Sequence, residues 1–191
     1  MQKKYCKKSS IYDGAQLRHL FGYLEHQLLG DSIISWRGAC NIPQENIIDG
    51  EDLQNNSIIA SKEMLHFIVE KFNSTIFSAV ALQRLFVTLI KEDMQDRGIF
   101  LKRKGDDLYF ITKDNLEKKF NISIATQSTT SSMIHLAVNI TQEGTPVPTI
   151  SLKDFNICSD QDIKALSEKW MDLFTQEVIS ITKATEKVFT V

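Results

Sequence analysis

Residues 76–141 constrain the fold most, because a long apolar helix pattern is followed there by four short strand patterns. The helix is predicted over 77–97 and ends at Gly98. Its apolar face is wide enough to require a sheet beside it. The strands are predicted at 99–104, 108–112, 119–126 and 133–141. This order indicates an α+β fold in which helices pack on one face of an antiparallel sheet.

The segments on either side of this region add more helices and one more strand. Capping-box residues precede the first and the last helix, Asp13 with Gln16 and Ser159 with Asp162. The other patterns follow apolar spacing and turn composition. They predict a helix at 14–29, a strand at 32–42, a polar loop at 43–56, a second helix at 64–72 and a final helix after Ser159.

The composition is that of an ordinary globular chain, with 42% apolar and 24% charged residues in 191. A chain of this length buries enough surface for a stable core, so residues 1–191 are predicted to form one domain. The basic residues 1–10 are expected to be a mobile N-terminus. A net charge of -2 gives no long-range attraction to nucleic acid or to anionic membranes.

The cysteines and the apolar stretches predict the cellular compartment. The three cysteines are far apart and in no metal-binding spacing, which argues against disulfides and against a zinc site. No export signal follows the basic start. The most apolar stretch, 76–90, contains Gln83 and Arg84 and is short for a bilayer. We therefore expect a cytoplasmic protein without a membrane segment or a metal.

Two of the predicted strands carry polar residues on one side. Lys119, Asn121 and Ser123 share one face of their strand, and His135 and Asn139 share one face of the next. If the two strands are neighbours, the polar faces are expected to coincide. That common face either lines a ligand cavity or is an ordinary solvated sheet face, and both interpretations stay open. His135 is likewise either a ligand contact or a structural histidine.

The order of these elements resembles the biotin protein ligases over about a third of the chain. Those enzymes have an Asn-Asp turn after a helix, a lysine that opens the next strand, and a last strand ending in Ile-Asn-Val. In this sequence Asp106 and Asp107 match the turn, Lys119 matches the catalytic lysine, and residues 138–140 match the last strand. The resemblance implies a small carboxylic acid as ligand, ATP as cofactor, Lys119 as oxyanion or phosphate contact, and Asp107 positioning it.

A second resemblance is closer and extends over the full length. Gly-Asp-Asp-Leu-Tyr at 105–109, Ser-Ile-Ala-Thr at 123–126 and Met-Leu-His-Phe-Ile-Val-Glu at 64–70 resemble a family of uncharacterised archaeal and bacterial proteins. Their fold is placed in the class II aminoacyl-tRNA synthetase and biotin/lipoate ligase superfamily. This implies a small-molecule ligand, with tRNA, a carrier protein or a second copy of the chain as open alternatives for a partner.

The sequence departs from the ligases at their glycine- and arginine-rich phosphate-binding loop. Trp36, Arg37 and Gly38 are the nearest equivalent. Two functions therefore stay open. One is an acyl or adenylate transfer enzyme acting on a small carboxylate or nucleotide-like ligand. The other is a non-catalytic module that binds a metabolite or tRNA.

Several further residues are candidates with structural alternatives. Arg84 lies in an apolar helix, so it must reach the helix edge, pair with a carboxylate or bind a ligand phosphate. Lys119 and Asp107 could form a structural ion pair with no further role. The loop 127–132 is expected to lie flexibly over the pocket. The remaining cluster lies on one side of the predicted second helix; it could ligate a metal but is interpreted as a solvated face: Glu63, His66 and Glu70.

Overall fold

The structure, a computed structural model that describes residues 1–189, is built on a five-stranded sheet. Its strands lie in the order β1-β2-β3-β8-β7, and every pair is antiparallel except β1 with β2. These strands are β1 (Gln2–Cys6), β2 (Ser32–Ile42), β3 (Ile59–Phe72), β7 (Asn121–Gln127) and β8 (Ser131–Asn139). A second sheet contains β4 (Leu101–Lys104), β5 (Asp107–Ile111) and β6 (Glu117–Lys119). The helices are α1 (Phe21–His26), α2 (Gly50–Gln54), α3 (Ile76–Asp96) and α4 (Asp160–Thr185). The predicted fold class is confirmed.

The two long helices cover one face of the large sheet. Phe86 of α3 is fully buried between Phe67 of β3 and Phe174 of α4, with ring centroids 5.2 and 4.7 Å away. Both helices begin at capped residues, since Thr75 Oγ1 accepts from Ser78 N and Ser159 Oγ accepts from Asp162 N. Among residues 1–189, every helix is too short or too polar to cross a membrane.

The predicted second helix at 64–72 is wrong, because this segment is the C-terminal part of β3. β3 lies between β2 and β8 and is buried on both faces from Met64 to Glu70. A strand covered on both faces is apolar without alternation, and its apolar residues also fall at helical spacing. Glu63 therefore lies on one face of the strand, while His66 and Glu70 lie on the other.

The first predicted helix is also shorter than expected. The capping contacts form, with Gln16 Oε1 accepting from Asp13 N, but regular helix is limited to α1. Leu20 and Gln27, on either side of α1, both have φ of 61° and so leave the helical conformation. The N-terminal residues expected to be mobile instead form β1, which pairs with β2 from Gln2 to Cys6.

The predicted strand at 119–126 is divided between the two sheets. β6 ends at Lys119, Phe120 is fully buried, and β7 begins at Asn121. The main chain of Phe120 joins the sheets, because its N–H donates to Leu108 O at 2.8 Å and its carbonyl accepts from Asn139 N at 3.0 Å. Lys119 is thereby held at the junction of the two sheets.

The polar faces of β7 and β8 do not coincide, although the strands are neighbours as predicted. Asn121 lies opposite Val138 and Ser123 opposite Leu136, on the face covered by α3. His135 lies opposite Ile124 on the other face. Residues directly opposite in an antiparallel pair share a face, so the register separates the two polar sets.

Candidate functional site

A cavity of about 250 Å³ lies on the sheet face that α3 and α4 leave uncovered. Its floor is made by side chains of β3, β7 and β8, and segments 42–60 and 145–149 contribute the other walls. Most of the lining is apolar, which favours a ligand with an apolar body. The lining residues with apolar side chains include Leu17, Ile42, Ile47, Ile59, Met64, Ile122, Ile124 and Val147.

The 42–60 segment is held in place by its own polar side chains. Asp49 caps α2, because its Oδ1 accepts from Glu51 N at 2.8 Å and from Asp52 N at 3.1 Å. Asn46 Nδ2 donates to Asp13 O at 2.9 Å, which ties the segment to the chain before α1. The acidic and amide-rich composition thus serves local capping and leaves the isoleucines to form the cavity wall.

Lys119 lies on the cavity wall beside Asp107. Lys119 Nζ is 2.9 Å from Asp107 Oδ1, and the lysine side chain is 28% exposed. Tyr109 Oη donates to Asp107 Oδ2 at 3.1 Å, and burial together with the Asp107 carboxylate raises the pKa of Tyr109 to about 12. An ammonium group has three donors, so the contact with Asp107 leaves donors for a ligand.

The main chain on either side fixes the position of Lys119. Lys119 N donates to Pro148 O and Ile150 N donates to Lys119 O, both at 3.0 Å. Asn139, which also lines the cavity, donates from Nδ2 to Lys119 O at 3.2 Å. Lys119, Asp107 and Asn139 are therefore brought together as a group.

His135 lies on the cavity floor within a buried stack of rings. Its Nε2 is 3.2 Å from Nδ1 of His66, and His66 Nε2 is 3.1 Å from Gly38 O. The Tyr12 ring stacks on His135 with centroids 3.6 Å apart, and Trp36 stacks on His66 at 5.1 Å. Burial lowers the pKa of both histidines, to about 4 for His66, so both rings are neutral at pH 7.

Asp106, Asn121 and Ser123, three of the predicted ligand-binding residues, form hydrogen bonds within the protein. Asp106 Oδ2 accepts from Ser123 Oγ at 2.6 Å and from Gln83 Nε2 at 2.9 Å. Asn121 Nδ2 donates to Asp106 O, and its Oδ1 accepts from Leu108 N. This network attaches the β4–β5 turn to β7 and α3. Asn121 and Ser123 also line the cavity as part of β7.

The two predicted arginines lie away from the cavity lining. Arg84 is exposed on α3, so it reaches the helix edge, the first of its three expected alternatives. Arg37 Nε donates to Glu63 Oε1 at 2.6 Å, and its Nη1 pairs with Asp160. The hydrogen bond with Glu63 raises the pKa of Arg37. Both arginines are therefore placed outside the group around Lys119.

The turn within 127–132 does not lie over the cavity. It joins β7 to β8, where Ser131 Oγ donates to Glu70 Oε1 at 2.8 Å and lies 3.0 Å from His19 Nδ1. Leu20 N donates to the same Glu70 oxygen at 2.9 Å. The turn is thus attached to the segment before α1. Within 1–189, the side chains form no group of three ligands suited to a metal ion.

Sequence reasoning missed Tyr12 and the 42–60 wall. Tyr12 precedes the helix predicted at 14–29, and its contact with His135 comes only from long-range packing. The wall had a readable signal, because Ile47, Ile48, Ile58 and Ile59 form two apolar pairs inside an otherwise polar segment. Such pairs in a loop indicate that the loop covers an apolar surface.

The arrangement of the sheet and the helices is the fold of biotin and lipoate protein ligases. Lipoate-protein ligase A bound with ATP matches with a TM-score of 0.60 at 12% identity, over 92% of this chain and 86% of that one. The putative lipoate protein ligase Ta0514 from T. acidophilum with bound lipoic acid matches with a TM-score of 0.59 at 11% identity, over 92% of this chain and 87% of that one.

The chain belongs to the family described as domain of unknown function (DUF366), whose model matches residues 1–189. It is 31% identical to an uncharacterised protein of Methanocaldococcus jannaschii in an alignment of 189 positions that covers 96% of this chain and 82% of that protein. A solved protein of unknown function from Pyrococcus horikoshi matches with a TM-score of 0.92 at 32% identity, over 100% of this chain and 98% of that one.

Proposed function

We propose that the protein binds a small carboxylic acid with an apolar body in the cavity, with the carboxylate on Lys119. The observation that carries this proposal is the half-buried ammonium group of Lys119 on the wall of a mostly apolar cavity. Apolar walls favour the ligand body by about 25 cal/mol per Å² of buried apolar surface. A fixed cation in a partly desolvated site favours the anionic end.

The charges around the cavity give the ligand one orientation. Asp52 and Asp49 line the α2 side of the cavity, so a carboxylate is disfavoured there. Lys119 lies on β6 beside Asn139, and the ammonium group bridges Asp107 and the incoming carboxylate. Asp107 is held by Tyr109 and positions the lysine. The similar structures with lipoic acid or biotin support this class of ligand, since both compounds are carboxylic acids with an apolar body.

Calorimetric titration with octanoic acid, lipoic acid and the neutral analogue octanamide tests the proposal. We expect the acids to bind and octanamide to bind at least about tenfold more weakly, because the amide lacks the charge that Lys119 recognises. Lys119→Met should remove the difference between acid and amide. Lys118→Met, the neighbouring lysine on the same strand, is the matched control and should retain it. Equal affinity of wild type and Lys119→Met for octanoic acid would rule the proposal out.

The second candidate function is transfer of the acid after activation by ATP. The likeness to lipoate-protein ligase A bound with ATP favours it. The segment most similar to the phosphate-binding loop of the ligases does not favour this function, because Trp36, Arg37 and Gly38 lie inside β2. A Cβ atom at Gly38 would meet Ser10 O at 1.9 Å, so this glycine serves a close approach of two backbones.

Pyrophosphate release separates binding from activation. The assay uses ATP with an acid that calorimetry has shown to bind. Release by wild type and Lys118→Met, with loss in Lys119→Met, would support an acyl-adenylate enzyme. Binding without release would assign the protein to the non-catalytic alternative, a module that holds a metabolite.

A further inference from the structure

The hydrogen-bond chain under the cavity fixes the proton positions of two histidines. A carbonyl oxygen only accepts, so the His66 nitrogen beside Gly38 O, Nε2, must carry the proton. Neutral imidazole has a single N–H, which leaves His66 Nδ1 as an acceptor. His135 Nε2, at 3.2 Å, must then donate to it. The remaining nitrogen of His135, Nδ1, is consequently an unprotonated acceptor.

His135 Nδ1 is an acceptor beside the cavity, and the hydrogen bonds of residues 1–189 supply no donor to it. His135 is 1% exposed and lines the cavity, and no backbone or side-chain group of residues 1–189 donates to its Nδ1. Burial and the neighbouring His66 lower the pKa of His135, so the nitrogen stays unprotonated near neutral pH. Because His135 lines the cavity, this free acceptor can receive a hydrogen bond from a ligand bound there.

The surrounding rings hold His135 in this orientation. Tyr12 stacks on it with an angle of 12° between the ring planes, and Tyr12 is itself 1% exposed and lines the cavity. On the far side of His66, Trp36 stacks with an angle of 20°. The imidazole can neither turn over nor exchange its two nitrogens without breaking the contact with His66.

We propose that His135 Nδ1 is a recognition point for the ligand, which accepts a hydrogen bond from an O–H or N–H group on its apolar body. This inference rests on the proposed binding of a carboxylic acid. It narrows the ligand class to acids that carry a hydroxyl, amide or ring N–H some distance from the carboxylate. His135 and Asn139 share one face of β8 four residues apart, which corresponds to ~14 Å at ~3.4 Å per residue.

The probes are three matched series of straight-chain acids with graded chain lengths: unsubstituted, ω-hydroxy and ω-fluoro alkanoic acids. Fluorine is close to a hydroxyl in size but cannot donate. At the optimal length, the ω-hydroxy acid is expected to bind wild type at least about tenfold more tightly than its ω-fluoro counterpart. His135→Phe keeps a ring against Tyr12 and removes the acceptor, so it should bind both acids equally.

The outcomes separate this inference from the proposed function. Binding of all three series with equal affinity overturns the role of His135 and leaves the carboxylate site intact. Binding of none of the acids overturns both. If His135→Phe does not fold, the ¹⁵N resonance of wild-type His135 Nδ1 still decides. It should shift with the ω-hydroxy acid and not with the ω-fluoro acid, and an unchanged resonance with a bound ω-hydroxy acid contradicts the inference.

Discussion

The two faces of the large sheet differ in how completely their polar residues are hydrogen-bonded within the protein. On the face under α3, Asp106, Ser123 and Gln83 bond to one another and to the β4–β5 turn. At the cavity on the other face, Lys119 of the small sheet keeps free donors and His135 keeps a free acceptor. Both faces contain buried polar groups, but only one keeps spare hydrogen-bonding capacity directed to a cavity.

The polar residues under α3 stabilise the fold, whereas those at the cavity are available for a ligand. A network whose donors and acceptors are all paired rigidifies its surroundings and leaves no group free to hydrogen-bond a ligand. An unsatisfied buried group is costly unless a ligand completes it. Substitutions on the helix-covered face should therefore lower stability, whereas substitutions at Lys119 and His135 should change binding.

The largest effect is expected in the core of the helix-covered face. Phe86→Ala removes a ring that is 0% exposed, and we expect a loss of ~3–5 kcal/mol in the free energy of unfolding. Ile124→Ala, on the cavity floor, should lower the free energy of unfolding much less because this side chain borders a space that already exists. Urea denaturation of both variants measures the two losses in the free energy of unfolding. Equal losses would contradict the division into a packed face and a cavity face.

The next largest loss of stability is expected when the hydrogen-bond network around Asp106 is broken. Asp106→Ala removes the acceptor shared by Ser123 and Gln83, and we expect a loss of ~2–3 kcal/mol in stability with unchanged affinity for octanoic acid. Asp114→Ala, at an exposed position before β6, is the control and should leave stability almost unchanged. A loss of acid affinity in Asp106→Ala at full folding would place Asp106 in the binding site.

The histidines of the cavity face should make stability depend on pH. The pKa of His66 is about 4 in the folded protein and 6.5 ordinarily, so the unfolded chain binds a proton that the folded chain does not. Stability is complete above about pH 6.5 and falls as the pH drops toward 4. The slope reaches about 1.4 kcal/mol per pH unit for each histidine.

Carboxylates titrate below the pH range in which the two histidines change stability. Glu63 and Asp93 have pKa values lowered from 4.5 and 3.8, so their contribution is lost only below those values. Denaturation midpoints between pH 7 and 5 therefore report the histidines. His66→Gln should flatten the curve, and a flat curve in wild type would show that the pair is not buried as described.

The smallest effect on stability is expected at the cavity wall. Lys119→Met breaks an ion pair whose side chains are 28% and 26% exposed, and such pairs contribute about 1 kcal/mol or less. The same substitution should abolish the preference for acid over amide. A large loss of stability in thermal denaturation, compared with Lys118→Met, would make Lys119 a structural residue.

Much of the fold could be predicted from local sequence. α3, α4 and β2 lie within a few residues of their predicted bounds because their patterns are complete within one segment. β3 could not be distinguished from a helix, since its burial on both faces depends on neighbours far along the chain. The resemblance to ligases and to an uncharacterised family was confirmed by the family match and the similar structures.

The site was predictable only in part, and the reason is the register between strands. Alternation within single strands predicted that Asn121 shares a face with Ser123 and that His135 shares a face with Asn139. It could not predict which of the two sets faces the helices. The pairing of Lys119 with Asp107 followed from the short distance between β5 and β6 along the chain. The Tyr12 and His66 contacts with His135 involve positions that no local pattern connects.

A crystal structure of the protein with octanoic acid tests most directly whether the cavity binds a carboxylic acid through Lys119. We expect electron density for the acid between β8 and the 42–60 segment, with a carboxylate oxygen within hydrogen-bond distance of Lys119 Nζ. Density with the carboxylate at the α2 side, or an acid bound elsewhere while the cavity holds none, would contradict this expectation.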